Sequence, residues 1–374
     1  MEKINPREAK GKQIALRHDL IRVRDDYYKV HSQTTKREYD VIKTSDVWHC
    51  NCPDHRFRKT CCKHIHAIEF SIKLREEVRE KNKIVINPIN VKSCLFCHSD
   101  NIKKYGIRRN KYGDIQRFVC KECHRTFSLN IGFEKMKHDP RGITTAIQLY
   151  FNGESLRNVS RSLKLIGVEV SHQTIYNWIR KYTNLMQKYL EKIVPHVGDA
   201  WRADEIWMKF HGDLKYVFAL MDDETRYLIA YEVADTKFKH DARSLFEMGK
   251  KVTQTRPKVL ITDGLPAYHD AYKKEFWLNN RQKTTLHIRN IHLQGDMNNN
   301  KMERLNGEIR DREKVMRGLK KKDTPILKGY QIFHNYIRPH MGLNGQTPAE
   351  VCGIEVNGNN KWITLIQNAK LKKI

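Results

Sequence analysis

The stretch WRADEIWMKF, Trp201 to Phe210, decides how the chain is read. Its side chains alternate with the period of a strand. Arg202, Asp204, Ile206, Met208 and Phe210 fall on one face, and Ala203, Glu205, Trp207 and Lys209 on the other. Asp204 therefore stands in line with three apolar side chains, in a chain that is otherwise strongly basic. Adjacent strand residues point to opposite faces, so the expectation is that Asp204 faces a site and its rival Glu205 does not.

Working outward, KYVFALMDD and TRYLIAYEV read as the second and third strands of a meander, with Asp222 and Asp223 at the turn. KVLITDGLPAY reads as a buried strand ending at Asp263, with Gly264 for a turn. MNNNKMERLNGEIRDREKVMRG reads as a polar helix carrying Glu303. The intervals between the three acids are 58 and 39 residues. Asp296 replaces Glu303 only if that helix begins earlier. Glu308, five residues on, points to nearly the opposite side.

The 374 residues suggest two or three domains, and 39% hydrophobic content is enough for a core. A net charge of +27 suits a polyanionic partner, most simply nucleic acid; a charged, solvated surface is the plainer alternative. No run of about 18 apolar residues exists, so no membrane helix is expected. MEKINPREAKGKQ at the N-terminus is charged throughout and lacks an apolar signal segment, so a cytoplasmic protein is expected. The nine cysteines are mostly paired, and in an intracellular chain such pairs read as metal ligands before disulfides.

In CNCPDHRFRKTCCKH, Cys50 and Cys52 are followed by Cys62 and His64. Three thiolates and an imidazole make a tetrahedral zinc set. Cys61, His49, His55 and His66 compete for the same metal. The C-x-C…C-x-H order, with strands before and a helix after, resembles the SWIM zinc finger. CLFC and CKEC place Cys94, Cys97, Cys120 and Cys123 in a four-cysteine ribbon pattern. So small a module depends on its metal for most of its folding free energy. His98 and His124 read as exposed neighbours. The strip Lys103, Lys104, Arg108, Arg109 and Lys111 is either a phosphate contact or a solvated face.

DPRGITTAIQLYFNG carries an apolar stripe of Ile143, Ala146, Ile147, Tyr150 and Phe151, and SLRNVSRSLKLIG carries Leu156, Val159 and Leu163. SHQTIYNWIRKYTNLM opens on Ser171 as N-cap and turns Ile175, Trp178, Ile179 and Tyr182 inward. His172, Gln173, Tyr176, Asn177, Arg180 and Lys181 occupy the other face. This is the layout of a helix-turn-helix, whose polar face is free for a DNA groove. An ordinary small helical bundle is the competing reading.

The ordered set of ADE, TDG, NNKMERLNGEIR and YIRPHMGLNGQTPAE (Tyr336 to Glu350) resembles the DDE transposases and retroviral-type integrases, most of all transposases of prokaryotic insertion sequences. The likeness covers about residues 140 to 355. The chain reads as a multidomain α/β protein with a SWIM-type finger (1–85), a zinc ribbon (86–135), a helix-turn-helix region (136–197) and a C-terminal tail (356–374); the zinc modules are additional to a minimal transposase. The resemblance implies a ribonuclease-H-like mixed-sheet catalytic core (198–355). It implies that Asp204 bridges two Mg2+ (or Mn2+) ions, about 3.5–4 Å apart, while Asp263 and Glu303 each hold one. Two structural Zn2+ ions fill the N-terminal modules. Arg310 and Asn306, on the Glu303 face, would contact DNA near the cut, with Arg304, Arg312 and Lys314 on a wider phosphate track. His340 reads as a packing residue. The implied activity is DNA transposition. Its partners would be double-stranded terminal repeats and target DNA, handled by a homodimer or higher multimer.

Overall fold

The computed structural model describes residues 5–17, 20–24, 26–33, 37–110, 113–210, 212–277, 285–289, 300–316 and 324–371. Asp296 and Lys111 lie outside them, as does the side chain of Lys314. The chain forms a mixed α/β structure of two compact units: Met1–Lys83, Pro195–Trp207 and Leu214–Asn306 make one, and Ile84–Val194, Met208–Asp213 and Gly307–Ile374 the other.

The first unit begins with a helix, Pro6–Leu16, capped by the Asn5 side chain on the Arg7 amide. Four antiparallel strands follow in sequential order: Leu20–Arg24, Tyr27–His31, Glu38–Thr44 and Val47–Cys50. The helix Lys63–Lys81 comes next. The sheet and the long helix are the strands before and the helix after the ligand pattern; the helix Pro6–Leu16 adds to them. Ile14, Val30, Val41, Ile65 and Ile68 form the shared core.

The same unit holds a five-stranded sheet in the order Leu228–Ala234, Asp213–Asp222, Ala200–Phe210, Val259–Thr262, Leu286–Arg289. The first two of these pair antiparallel, whereas Val259–Thr262 runs parallel to both its neighbours. Register places the acids. Val259 lies opposite Ala200 and Ile261 opposite Arg202. Continued by two residues, this pairing brings Asp263 level with Asp204. The helix Lys239–Thr253 approaches the sheet closely through Gly249, where a Cβ would stand 2.4 Å from Leu220.

Buried charge fastens this unit. Asp223 is fully buried and meets both Arg202 and Lys301, the latter at 3.0 Å and on the helix that carries Glu303. Glu224 takes Arg22 and Arg79 at 2.8 Å each. Asp222 accepts from the Thr225 amide and hydroxyl, closing the turn expected there.

In the second unit, strands Ile102–Asn110, Gly113–Cys120 and Thr126–Ser128 form a three-stranded antiparallel sheet. Helices Pro140–Asn152, Leu156–Leu165 and His172–Leu190 follow, with Asp139, Ser155 and Ser171 as N-caps. The inward stripes fall as the spacing predicts, apart from Leu156, which is half-buried. Helix Pro325–Ile332 packs among them so tightly that a Cβ on Gly329 would stand 2.2 Å from the Phe151 ring.

The last residues differ from expectation. Rather than a polar turn and tail, Ile354–Val356 pairs in parallel with Ile84–Ile86. Helix Lys361–Leu371 then buries Trp362, Leu365, Ile366 and Ala369. These four stand at i, i+3, i+4 and i+7, an apolar stripe that the sequence does display. Trp362 stacks on Phe151 and donates to Gln148 at 2.7 Å.

Candidate active site

Asp204 sits midway along the central strand of the five-stranded sheet, half-buried, and Asp263 is exposed directly after the neighbouring parallel strand. Parallel register carries Asp263, one residue past its strand, level with Asp204 on the neighbouring one. Carboxylate oxygens of Asp204, Glu205 and Asp263 all lie within 4.8 Å of one another. The Asp263 side chain accepts from the Leu265 amide at 3.0 Å, which shapes the turn into helix Pro266–Phe276.

The presence of Glu205 in this group corrects the expectation that it faces away. Strand alternation fixes the direction of Cα–Cβ and not the end of a longer arm. The Glu205 carboxylate, only 5% exposed, is held by Lys237 at 2.8 Å and by the Tyr268 hydroxyl at 3.0 Å. Burial and the surrounding carboxylates push the Tyr268 hydroxyl well above its ordinary range, so it remains a donor. Burial pulls Lys237 down, but the bond to Glu205 outweighs it and keeps the ammonium charged. Neither Lys237 nor Tyr268 stood out in the sequence. Tyr268 closes the KVLITDGLPAY segment and so was within reach; Lys237 lies in a loop with no pattern to mark it.

Glu303 is exposed in the first turn of helix Asn300–Met316 and lies outside the close trio. It is near enough for its charge to act on Asp204. Burial first, then Glu205, Asp263 and Glu303, push Asp204 up to about 7. Asn306, from the same helix, is buried and donates to Asp204 Oδ2 at 2.7 Å; its own Oδ1 has no hydrogen-bond partner among the described residues. The Glu205 amide donates to Asp204 Oδ1 at 3.0 Å. Mutually repelling carboxylates, one of them held partly protonated, are a hard-oxygen donor set that a divalent cation would relieve. The residues thus fit Mg2+ or Mn2+.

Arg304 and Arg310 are exposed on the Glu303 helix. Arg312 is turned inward, donating to the Tyr150 carbonyl at 3.4 Å beside Gly153, which limits it as a phosphate contact. His340 is buried against the His334 carbonyl, the packing role expected of it.

The cysteine sets assemble as the spacing predicts. Donor atoms of Cys50, Cys52, Cys62 and His64 lie within 4.8 Å of one another, as do those of Cys94, Cys97, Cys120 and Cys123. His64 Nδ1, not Nε2, faces the sulfurs, 3.6 Å from Cys50 and 3.9 Å from Cys62. In the ribbon, Cys94–Cys123 and Cys97–Cys120 sulfurs are 3.6 and 3.5 Å apart. A tetrahedron with Zn–S bonds of about 2.3 Å has edges of about 3.8 Å, so both sets fit zinc. His98 and His124 are exposed and belong to neither set.

On the helix His172–Leu190, residues His172, Gln173, Asn177, Arg180 and Lys181 are exposed and Tyr176 is half-buried, while Ile175, Trp178, Ile179 and Tyr182 are buried. No described helix is long and apolar enough to cross a membrane.

Residues 198–340 match a family model described as a DDE domain. The transposase of the insertion-sequence-like element IS431mec from Staphylococcus aureus is 27% identical over 135 residues, 35% of this chain and 58% of that one. The insertion element iso-IS1N protein InsA from Shigella dysenteriae is 33% identical over 84 residues, 22% of this chain and 87% of that one. The magnesium-bound catalytic core of HTLV-2 integrase aligns with 43% of this chain and 98% of its own, at 15% identity and a TM-score of 0.32. The chain belongs to the DDE-type transposases of insertion sequences. It spans little more than half the length of the staphylococcal relative.

Proposed function

We propose that the protein is a DNA transposase of the prokaryotic cytoplasm, which cuts at the ends of its mobile element and joins the exposed 3′-hydroxyl to target DNA. Its catalytic core would be ribonuclease-H-like: a mixed five-stranded sheet with Asp204 on the central strand, Asp263 just past its neighbour and Glu303 on a helix. The observation that carries this reading is the convergence of Asp204 and Asp263, with Glu303 close enough to raise Asp204 further.

Asp204, Asp263 and Glu303 are the proposed ligands of two Mg2+ (or Mn2+) ions. When bound, such ions supply an activated oxygen nucleophile and neutralise charge at the scissile phosphodiester. The protein does the rest. Asn306 holds the Asp204 carboxylate in orientation by its 2.7 Å bond. Lys301, anchored on Asp223, fixes the start of the helix from which Glu303 and Asn306 project. Lys237 and Tyr268 hold the Glu205 carboxylate beside Asp204 and Asp263. Arg310, exposed two turns beyond Glu303, would take a phosphate near the cut. Asn306, being buried, is better suited to positioning Asp204 than to touching DNA.

His172, Gln173, Tyr176, Asn177, Arg180 and Lys181 are the proposed readers of the terminal repeats. Cys50, Cys52, Cys62, His64 and the four ribbon cysteines would hold one structural Zn2+ each. The segments 1–85, 86–135, 136–197 and 198–355 keep their proposed roles, with 356–371 forming part of the packed second unit. The working form would be a dimer or larger multimer bridging two DNA ends.

The test is incubation with DNA carrying the element's own ends, with Mg2+. Nicked and joined products are expected from the wild type and neither from Asp263→Asn, which should bind DNA normally. Binding without any nick would point to a non-cutting regulator. Undiminished cutting by Asp263→Asn would overturn the site.

A further inference from the structure

The first zinc set leaves two of its competitors, Cys61 and His66, unexplained. They lie next to ligands and face the other way. Cys62 and His64 are buried in the inner set, whereas Cys61 is exposed and His66 retains 20% side-chain exposure. The helix Lys63–Lys81 explains the split. Residues two apart on a helix point about 200° from each other, so His64 and His66 leave the same turn in nearly opposite directions and cannot serve one metal.

Outward, His66 meets Glu69, three residues on and on the same face, with Nδ1 and Oε2 3.6 Å apart. Donor atoms of Cys61, His66 and Glu69 all lie within 4.8 Å of one another. The helix Pro6–Leu16 backs this group. A Cβ on Gly11 would stand 2.7 Å from the His66 Cβ, so the two helices touch there and limit the ring's freedom.

We propose that Cys61, His66 and Glu69 form a third, outer metal site that takes a zinc-class divalent cation. One sulfur, one imidazole nitrogen and one carboxylate oxygen form a borderline set, suited to Zn2+ or Co2+ and not to Mg2+. Three protein ligands leave a fourth position for water or an incoming donor, unlike the closed inner sets. Its exposure and missing fourth ligand make it the weaker of the zinc sites and the one that exchanges with free metal. A cation there joins the turn before the helix, where Lys59 has a left-handed φ of 50°, to the helix's first two turns. Because Cys61 adjoins Cys62, filling the outer site also stiffens the inner one. This inference does not depend on the transposase reading.

Titration of the full-length protein, with its inner zinc sets filled, would decide it. Co2+ is added while bound metal per chain and thiolate-to-cobalt absorption are followed; the acid cluster, having no sulfur, cannot give that absorption. Whatever the acid cluster takes up, the wild type should bind one further, weaker equivalent that carries a single-thiolate band. Cys61→Ser and His66→Gln should lose that equivalent and its band while keeping both zincs. Glu69→Gln should keep the band but bind cobalt more weakly, a check that survives if either other variant misfolds. The proposal is overturned if the wild type shows no further thiolate band. It is also overturned if Cys61→Ser keeps the band, or if it loses one of the two tight zincs, which would put Cys61 in the inner set.

Discussion

Replacing Asp204 by Asn tests the electrostatics of the acid cluster without touching DNA chemistry. The carboxyl is raised from 3.8 to about 7, chiefly by burial and then by Glu205, Asp263 and Glu303. Between those values the folded protein keeps a proton that the unfolded chain has released. Stability therefore falls as pH rises through this window and levels off above it. At about 1.36 kcal/mol per unit, the full penalty is about 4 kcal/mol, of which about 2 kcal/mol accrues between pH 5.5 and 8. Asn is nearly isosteric, and its amide oxygen can still accept from Asn306, but it carries no charge to desolvate. Calorimetry without free divalent cations should show wild type losing ground to Asp204→Asn as pH rises. The gap in Tm should widen by roughly 4–8 °C over that range for a unit of this size. Magnesium should then close most of that gap. At a hundredfold excess over its Kd it adds about 2.7 kcal/mol to the wild type and little to the variant. Parallel Tm curves for the two proteins, or equal stabilisation of both by magnesium, would refute the account of a repulsive cluster awaiting a cation.

The other expectations concern the supports of the site, the ribbon sheet and the helix His172–Leu190. Asp223→Ala strips a fully buried partner from Arg202 and Lys301 and should cost about 3–5 kcal/mol in denaturant unfolding. Lys301→Ala leaves the Arg202–Asp223 pair intact, so it should destabilise less while slowing cleavage more than it weakens DNA binding. Removing metal with a chelator should abolish amide-exchange protection in strands Ile102–Asn110 and Gly113–Cys120, because that sheet has only a small apolar cluster of its own; persistent protection would contradict a zinc-dependent fold. Asn177→Ala should cost about 1–3 kcal/mol on the terminal repeat and relax its sequence preference. Arg180→Ala, if it loses a phosphate contact, should lower the slope of log affinity against log salt by about 0.9.

Much of the site was legible before folding was considered. The alternation around Asp204, the buried run ending at Asp263 and the polar helix at Glu303 are local patterns, and they fell on the elements they describe. Both cysteine sets were legible for the same reason, since a knuckle brings its own ligands together. What escaped was set by contacts between distant segments. Glu205 was excluded by a rule about Cβ directions, yet Lys237 and Tyr268, 32 and 63 residues further on, draw its carboxylate into the group. The final helix was misjudged for a different cause: its apolar stripe is present in Trp362, Leu365, Ile366 and Ala369, but the polar residues leading into it obscured the period.

Periodicity and spacing by themselves determined the strands that carry Asp204 and precede Asp263, the helix His172–Leu190, the two cysteine sets and the order of the acids, because each depends on residues close in the chain. Only the tertiary structure decided which carboxylates stand together. Parallel register brings Asp263 level with Asp204, and the buried Asp223 holds the start of the Glu303 helix through Lys301. The physical reason is range. A side chain's direction follows from its own backbone, but its charge state and its partners depend on whatever the fold packs against it.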